Sequence, residues 1–86
     1  MHELSLALEV CRMAEETAGR RGAGRVVGVG VEVGADAGIE IENFRFCLGA
    51  LLDEPPFRGA RADLIERPGD VLRLAYVEVD DDRPDH

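Results

Sequence analysis

The sequence predicts one small α+β domain of order α-β-α-β-β, with two helices packed on a three-stranded mixed sheet. Residues 3–19 and 41–53 place apolar side chains at the 3.6-residue spacing that is typical of amphipathic helices. Residues 25–33, 59–67 and 71–79 alternate or concentrate apolar side chains in the way that strands do. Eighty-six residues suffice for a single two-layered core, so we expect no second domain.

The two predicted helices each carry one apolar stripe. In the first helix the stripe comprises Leu4, Ala7, Leu8, Cys11, Ala14 and Ala18, and in the second it comprises Phe44, Cys47, Leu48, Leu51 and Leu52, with Phe46 beside it. Gly19 ends the first helix, and Pro55 ends the second. Glu40 and Glu42 lie near the start of the second helix, where carboxylates suit the helix dipole. Both cysteines fall on these stripes, so we interpret them as small core residues rather than as a disulfide.

The first strand has valines on one face and glycines on the other. Val27, Val29, Val31 and Val33 share the apolar face, whereas Gly28 and Gly30 lie opposite. A glycine weakens a strand, so its presence predicts the close approach of another backbone or of a packed helix.

The last two strands flank the four residues RPGD. Pro68 followed by Gly69 is the signature of a type II turn, which predicts that these strands form a hairpin. Within the last strand, Leu72 and Leu74 alternate in one phase and Val77 and Val79 in the other. This change of phase near Ala75 and Tyr76 predicts a bulge or a strand buried on both sides.

The charge of the chain excludes several classes of function. The net charge is −8 at pH 7 and every cation is an arginine, so nucleic acids and anionic membranes are poor partners. No segment approaches the roughly 20 apolar residues of a spanning helix, and glutamates interrupt the N-terminus, so we expect a cytoplasmic protein. Residues 1–79 are predicted to form the domain and residues 80–86 an acidic flexible tail. We expect no enzyme, since there is no phosphate-binding loop and no nucleophile beside a base.

The opening residues MHE suggest a metal site. The α-amine of Met1 and the backbone nitrogen and Nδ1 of His2 can close adjoining chelate rings on one ion, and the backbone nitrogen or carboxylate of Glu3 can supply a fourth donor. Such nearly planar, nitrogen-rich sets suit Ni(II) or Cu(II). The first N–H groups of a helix have no helical carbonyl partner, so metallating them breaks no helical hydrogen bond. A histidine at position 2 can also arise by chance, which leaves an inert terminus as the alternative.

Five strings of this sequence resemble the HypA/HybF family of nickel-insertion chaperones for hydrogenase and urease maturation. They are MHELSLA, RVVGVGVEVGADAGI, IENFRFCLGAL, ADLIERPG and LRLAYVEVD, which follow one another in the family's order and cover nearly the whole chain. The resemblance implies that Met1, His2 and Glu3 bind Ni(II). It also implies a maturation GTPase and a nickel-enzyme precursor, such as a hydrogenase large subunit, as partners.

One part of the family pattern has no counterpart in this sequence. Family members carry a zinc domain with two CxxC pairs between the second and third strands, where this chain has only Arg67, Pro68, Gly69 and Asp70. A structural zinc site needs four nitrogen or sulfur donors, so we expect no structural zinc. Regulation of nickel affinity through that domain is then also expected to be lost.

Two functional hypotheses remain open from the sequence. The first is a nickel metallochaperone that binds Ni(II) at Met1, His2 and Glu3. The second is a metal-free interaction module that contacts a maturation GTPase or an enzyme precursor through its acidic surface or a sheet edge. A monomer or a weak dimer is compatible with both hypotheses.

Overall fold

The structure, a computed structural model, describes residues 3–20 and 25–80 and confirms the predicted fold class and order of elements. The helices are α1 at Glu3–Arg20 and α2 at Ile41–Leu52, and the strands are β1 at Arg25–Gly34, β2 at Arg61–Arg67 and β3 at Leu72–Asp80. Strand β1 lies in the centre of the sheet, parallel to β2 and antiparallel to β3. Both helices pack on one face, with α1 over β1 and β3 and α2 over β2.

The core lies between the helices and the central strand, and small side chains dominate the contribution of α1. Ala7 and Ala14 are fully buried there, and Phe44 and Leu48 are fully buried on α2. Small side chains let α1 approach the sheet closely, so its buried face is narrower than the apolar stripe in the sequence. Leu4 (51%) and Leu8 (51%) of that stripe are exposed, and on α2 Phe46 (73%), which was predicted beside the stripe, is exposed as well.

Bulges in β1 and β3 determine which valines and leucines face the core. Consecutive β1 residues Gly30 and Val31 pair with Tyr76 and Leu74 of β3, so the register skips Ala75. This irregularity confirms the predicted bulge, and it places Val77 on the core face. The register of β1 also shifts between Val26 and Gly28. Val26 is consequently the buried residue at this end of β1, and the assignment of Val27 to the core face was wrong.

The predicted hairpin between β2 and β3 does not form, because β1 lies between the two strands. The turn crosses the end of β1 instead. The Gly34 N–H donates to the Val71 carbonyl (2.6 Å), and the Asp36 N–H donates to the Gly69 carbonyl (2.8 Å). Gly69 has the positive φ of +87° that the Pro-Gly signature indicates. The signature thus predicted the local turn correctly, but it carries no information about whether another strand lies between β2 and β3.

The sheet face opposite the helices is covered by its own side chains. The ring of Tyr76 lies over Gly30, and the side chains of Arg61 and Glu78 lie over Gly28. The hydroxyl of Tyr76 donates to Asp63. The close approach predicted at these two glycines is therefore made by side chains, rather than by a backbone or a helix.

Glu32 connects all three strands on the sheet face opposite the helices. It is 9% exposed, and its carboxylate accepts hydrogen bonds from Arg73 on β3 (Nε, 2.9 Å) and Arg67 on β2 (3.4 Å). The guanidinium of Arg73, followed by that of Arg67, lowers the pKa of Glu32 below its ordinary value of 4.5. A charged carboxylate at this position therefore stabilises the folded chain.

Glu32→Gln is expected to lower the midpoint of thermal unfolding at pH 7. Because folding lowers the pKa of Glu32, the stabilisation is fully present above pH 4.5 and is lost as the pH falls through the folded-state pKa. Calorimetry of wild type and variant at pH 7 and pH 3 should show the difference in midpoint at pH 7 and its decrease at pH 3. Glu66→Gln, which changes an exposed glutamate on β2, is the control and should leave the midpoint nearly unchanged. A midpoint difference for Glu32→Gln that is equal at both pH values would contradict this account.

Candidate metal centre

Of the three predicted metal ligands, Glu3 falls within the part of the chain that the structure describes. Met1 and His2 lie outside the described residues. Glu3 is the first residue of α1, and it is half-buried against the start of α2. The two helices therefore begin at the same end of the domain, close to where the chain leaves β1.

Both oxygens of the Glu3 carboxylate contact the start of α2. Oε2 accepts a hydrogen bond from the backbone N–H of Glu40 (3.0 Å), and Oε1 accepts one from Nδ2 of Asn43 (3.2 Å). The Glu40 N–H, then the N–H of Glu3 itself and later the Asn43 amide hold the pKa of Glu3 below its ordinary value. The carboxylate is thus an anion held at a helix N-terminus, where the dipole favours it.

Glu40 forms the N-cap of α2, in agreement with its predicted place near the helix start. Its backbone is extended (φ −79°, ψ 105°), and its Oε1 accepts a hydrogen bond from the Asn43 N–H (2.8 Å). Asn43 therefore uses its backbone N–H toward Glu40 and its side-chain amide toward Glu3. This arrangement ties the first residue of α1 to the first turn of α2.

Sequence reasoning missed the roles of Glu40 and Asn43 at the predicted metal end. They contact Glu3 across separations of 37 and 40 residues. A periodicity argument detects only contacts within one element, so no signal in a single sequence joins these residues.

The two thiols do not extend the predicted ligand set. Cys11 is buried, and its pKa is raised to about 11 by burial first and by Glu15 second, which disfavours the thiolate that binds metals. Cys47 is half-buried, and its Sγ lies 3.9 Å from Oδ1 of Asn43. Among residues 3–20 and 25–80, no three His, Cys, Asp or Glu side chains come close enough to hold a metal ion.

The connection between β2 and β3 is four residues long. β2 ends at Arg67 and β3 begins at Leu72, and none of the residues between them is a cysteine or a histidine. A zinc domain with two CxxC pairs therefore has no counterpart at this point of the fold.

Comparison with known proteins shows the family to which the sequence of this chain is similar. Residues 1–72 match the HypA family model, described as hydrogenase/urease nickel incorporation, metallochaperone, hypA. The chain is 41% identical over 69 residues to the hydrogenase maturation factor HypA of Azoarcus sp. (strain BH72), with 80% of this chain and 60% of that protein aligned. It is 38% identical over 69 residues to the same factor of Azotobacter chroococcum mcd 1, with 80% and 61% aligned.

The fold also resembles a solved structure. The solution structure of the Ni metallochaperone HypA from Helicobacter pylori superposes with a TM-score of 0.82, covering 95% of this chain and all of that one. The sequence identity is 15%, so this likeness concerns the fold.

The match along residues 1–72 places the chain in a family of metallochaperones rather than of enzymes. The chain belongs to the HypA family of hydrogenase and urease nickel metallochaperones. It spans about three fifths of the length of the curated relatives named above. Neither described helix combines the length and apolar character needed to cross a membrane.

Proposed function

We propose that this chain binds one Ni(II) ion through Met1, His2 and Glu3 and carries it toward a hydrogenase or urease precursor. The observation that carries the proposal is the anchoring of Glu3, whose carboxylate is held by the first turn of α2 at 3.0 and 3.2 Å. Family membership supports nickel as the cargo.

The proposed donors are the Met1 α-amine, the His2 backbone nitrogen, the His2 Nδ1 and the Glu3 backbone nitrogen. A set of four nitrogen donors suits Ni(II). Glu3 is the first residue of α1, so its N–H has no helical carbonyl partner to lose. Because both oxygens of the Glu3 carboxylate accept hydrogen bonds from α2, we assign the backbone nitrogen of Glu3, rather than its carboxylate, to the metal.

The wider role follows from the family. We propose that residues 1–79 form the nickel-binding domain, that residues 80–86 form its acidic tail, and that a maturation GTPase and the enzyme precursor are its partners in the cytoplasm. Asp80 belongs to β3, and the rest of the tail lies outside the described residues. A monomer or a weak dimer would serve this role, since the proposed ligands all come from one chain.

Nickel titration of the untagged protein, followed by native mass spectrometry, tests the proposal. The expected result is one Ni(II) per chain, bound with loss of protons because two backbone amides and the Met1 ammonium group must each give up a proton. Acetylation of the Met1 amine is the matched control, and it should remove this binding. A protein that takes up no nickel, or that binds equally well after acetylation, would contradict the proposed ligand set.

The second candidate function is a metal-free interaction module. It is favoured by three exposed apolar side chains on the helical layer, Leu4, Leu8 and Phe46. A partner that covered these side chains would remove apolar surface from water, which favours association. A titration without nickel binding, together with capture of a purified maturation GTPase that Leu8→Asp abolishes, would support this function over nickel transport.

A further inference from the structure

We propose that Asn43 is a positioning residue for nickel: it holds the Glu3 carboxylate against α2 and thereby presents the Glu3 backbone nitrogen to the metal. This inference rests on the proposed function and adds to it. Of the atoms of Glu3, Asn43 contacts the carboxylate and not the proposed donor nitrogen, so it acts on the metal through the side chain of Glu3.

The contacts of Asn43 show how it could do this. Its Nδ2 donates to Oε1 of Glu3 (3.2 Å), while its backbone N–H donates to Oε1 of Glu40 (2.8 Å). The second bond fixes the first turn of α2, and the first bond connects that turn to Glu3. With the Glu40 N–H on Oε2 of Glu3 (3.0 Å), the carboxylate has two anchoring points, which restrict rotation of the Glu3 side chain and hold the start of α1.

Loss of the Asn43 amide leaves one of these anchoring points in place. The Glu40 N–H alone lets the carboxylate pivot, so the backbone nitrogen of Glu3 spends less time in the position that closes the chelate ring. Outer groups that orient metal ligands typically contribute 10–100-fold to affinity. Because Asn43 acts at one remove from the ligand, we expect an effect of about tenfold, at the lower end of that range.

The opposite mechanism predicts the opposite sign. If the Glu3 carboxylate were itself a nickel ligand, its hydrogen bonds to Asn43 and Glu40 would compete with the metal. Removing the Asn43 amide would then free an oxygen and strengthen nickel binding. The sign of the effect therefore distinguishes an anchoring carboxylate from a coordinating one.

Asn43→Ala removes the bond to Glu3 and the long contact with Cys47 Sγ (3.9 Å), whereas the backbone N–H that bonds Glu40 is retained and the side chain is exposed. Nickel affinity is measured by calorimetry for wild type, Asn43→Ala, Glu3→Ala and the double variant, all untagged. We expect about tenfold weaker binding in Asn43→Ala and no further loss when it is added to Glu3→Ala, since Asn43 acts through Glu3. Glu42→Ala, a neighbouring exposed residue of the same helical turn, is the control and should bind nickel as wild type does.

A second measurement on the metal-free variants distinguishes a local effect of Asn43 on Glu3 from a general loss of stability of the domain. Exchange of the Glu40 amide hydrogen should be faster in Asn43→Ala, while the midpoint of thermal unfolding should stay within about 2 °C of wild type, as expected for an exposed side chain. Wild-type or tighter nickel binding in Asn43→Ala would overturn the inference, and so would a tenfold loss that persists in the Glu3→Ala background. If the wild type itself has no nickel site that depends on His2, the proposed function fails. This result is distinguishable from the two outcomes above, because both of them require a wild type that binds nickel.

Discussion

Replacing His2 by alanine is expected to reduce the affinity of the untagged protein for Ni(II) by more than a hundredfold. The substitution removes one of the four proposed nitrogen donors, and it opens the chelate rings that the imidazole closes with the backbone. The effect should therefore exceed the roughly 10–100-fold cost of changes outside the ligand set. Calorimetric titration measures the affinity, and the d–d absorption of the bound Ni(II) reports on its coordination geometry.

The chain offers a matched control for this variant. His86 is its only other histidine, and His86→Ala should leave both the affinity and the absorption band unchanged. A further variant with one glycine ahead of Met1 keeps His2 but moves the α-amine along the chain, so it should also lose high-affinity binding. Nickel binding that survives in His2→Ala but not in His86→Ala would contradict the proposed site and would indicate a site at His86 instead.

Hydrophobic periodicity predicted the elements of this fold because each element turns one apolar face toward the core. The buried valines of β1 and the fully buried residues of α2, Phe44, Leu48 and Leu52, define those faces in the sequence as clearly as in the structure. The bulge at Ala75 could be predicted for the same reason, since a strand with one buried face must change phase where its apolar residues do.

Contacts between elements could not be predicted in this way. The order β2-β1-β3 depends on which strand pairs with a neighbour along both of its edges. The turn signature of Pro68 and Gly69 is compatible with a direct hairpin as well as with a turn that crosses the end of β1. The exposure of Leu4 and Leu8 depends on how closely the alanines of α1 approach the sheet. The pairing of Glu3 with Asn43 joins two helices that are 20 residues apart in the chain, from Arg20 to Ile41. The identity of Glu3 as a candidate ligand was thus predictable, whereas its anchoring was not.

Gly34→Ala is expected to destabilise the domain by about 3 kcal/mol, at the upper end of the range for overpacking. A Cβ at this position would lie 2.6 Å from the backbone nitrogen of Val71 and closer still to the Gly69 carbonyl oxygen. Both atoms belong to the turn that crosses the end of β1, and backbone cannot swing away as a flexible side chain can. Any shift of the turn also stretches the hydrogen bond from the Gly34 N–H to Val71 (2.6 Å).

Gly49→Ala is the comparison variant for Gly34→Ala, because it adds the same methyl group at a site away from the crossing turn. Gly49 lies within α2, and no described atom comes within 4 Å of a Cβ added there, so alanine should stabilise the helix by up to about 1 kcal/mol. Urea unfolding of both variants measures the free energy of unfolding, and the two substitutions should change it in opposite directions. If β2 and β3 formed a direct hairpin, Gly34 would end an edge strand with no backbone above it, and Gly34→Ala would cost little. A small effect at Gly34 would therefore contradict the strand order β2-β1-β3 itself, together with the placement of the crossing turn beside the candidate metal end.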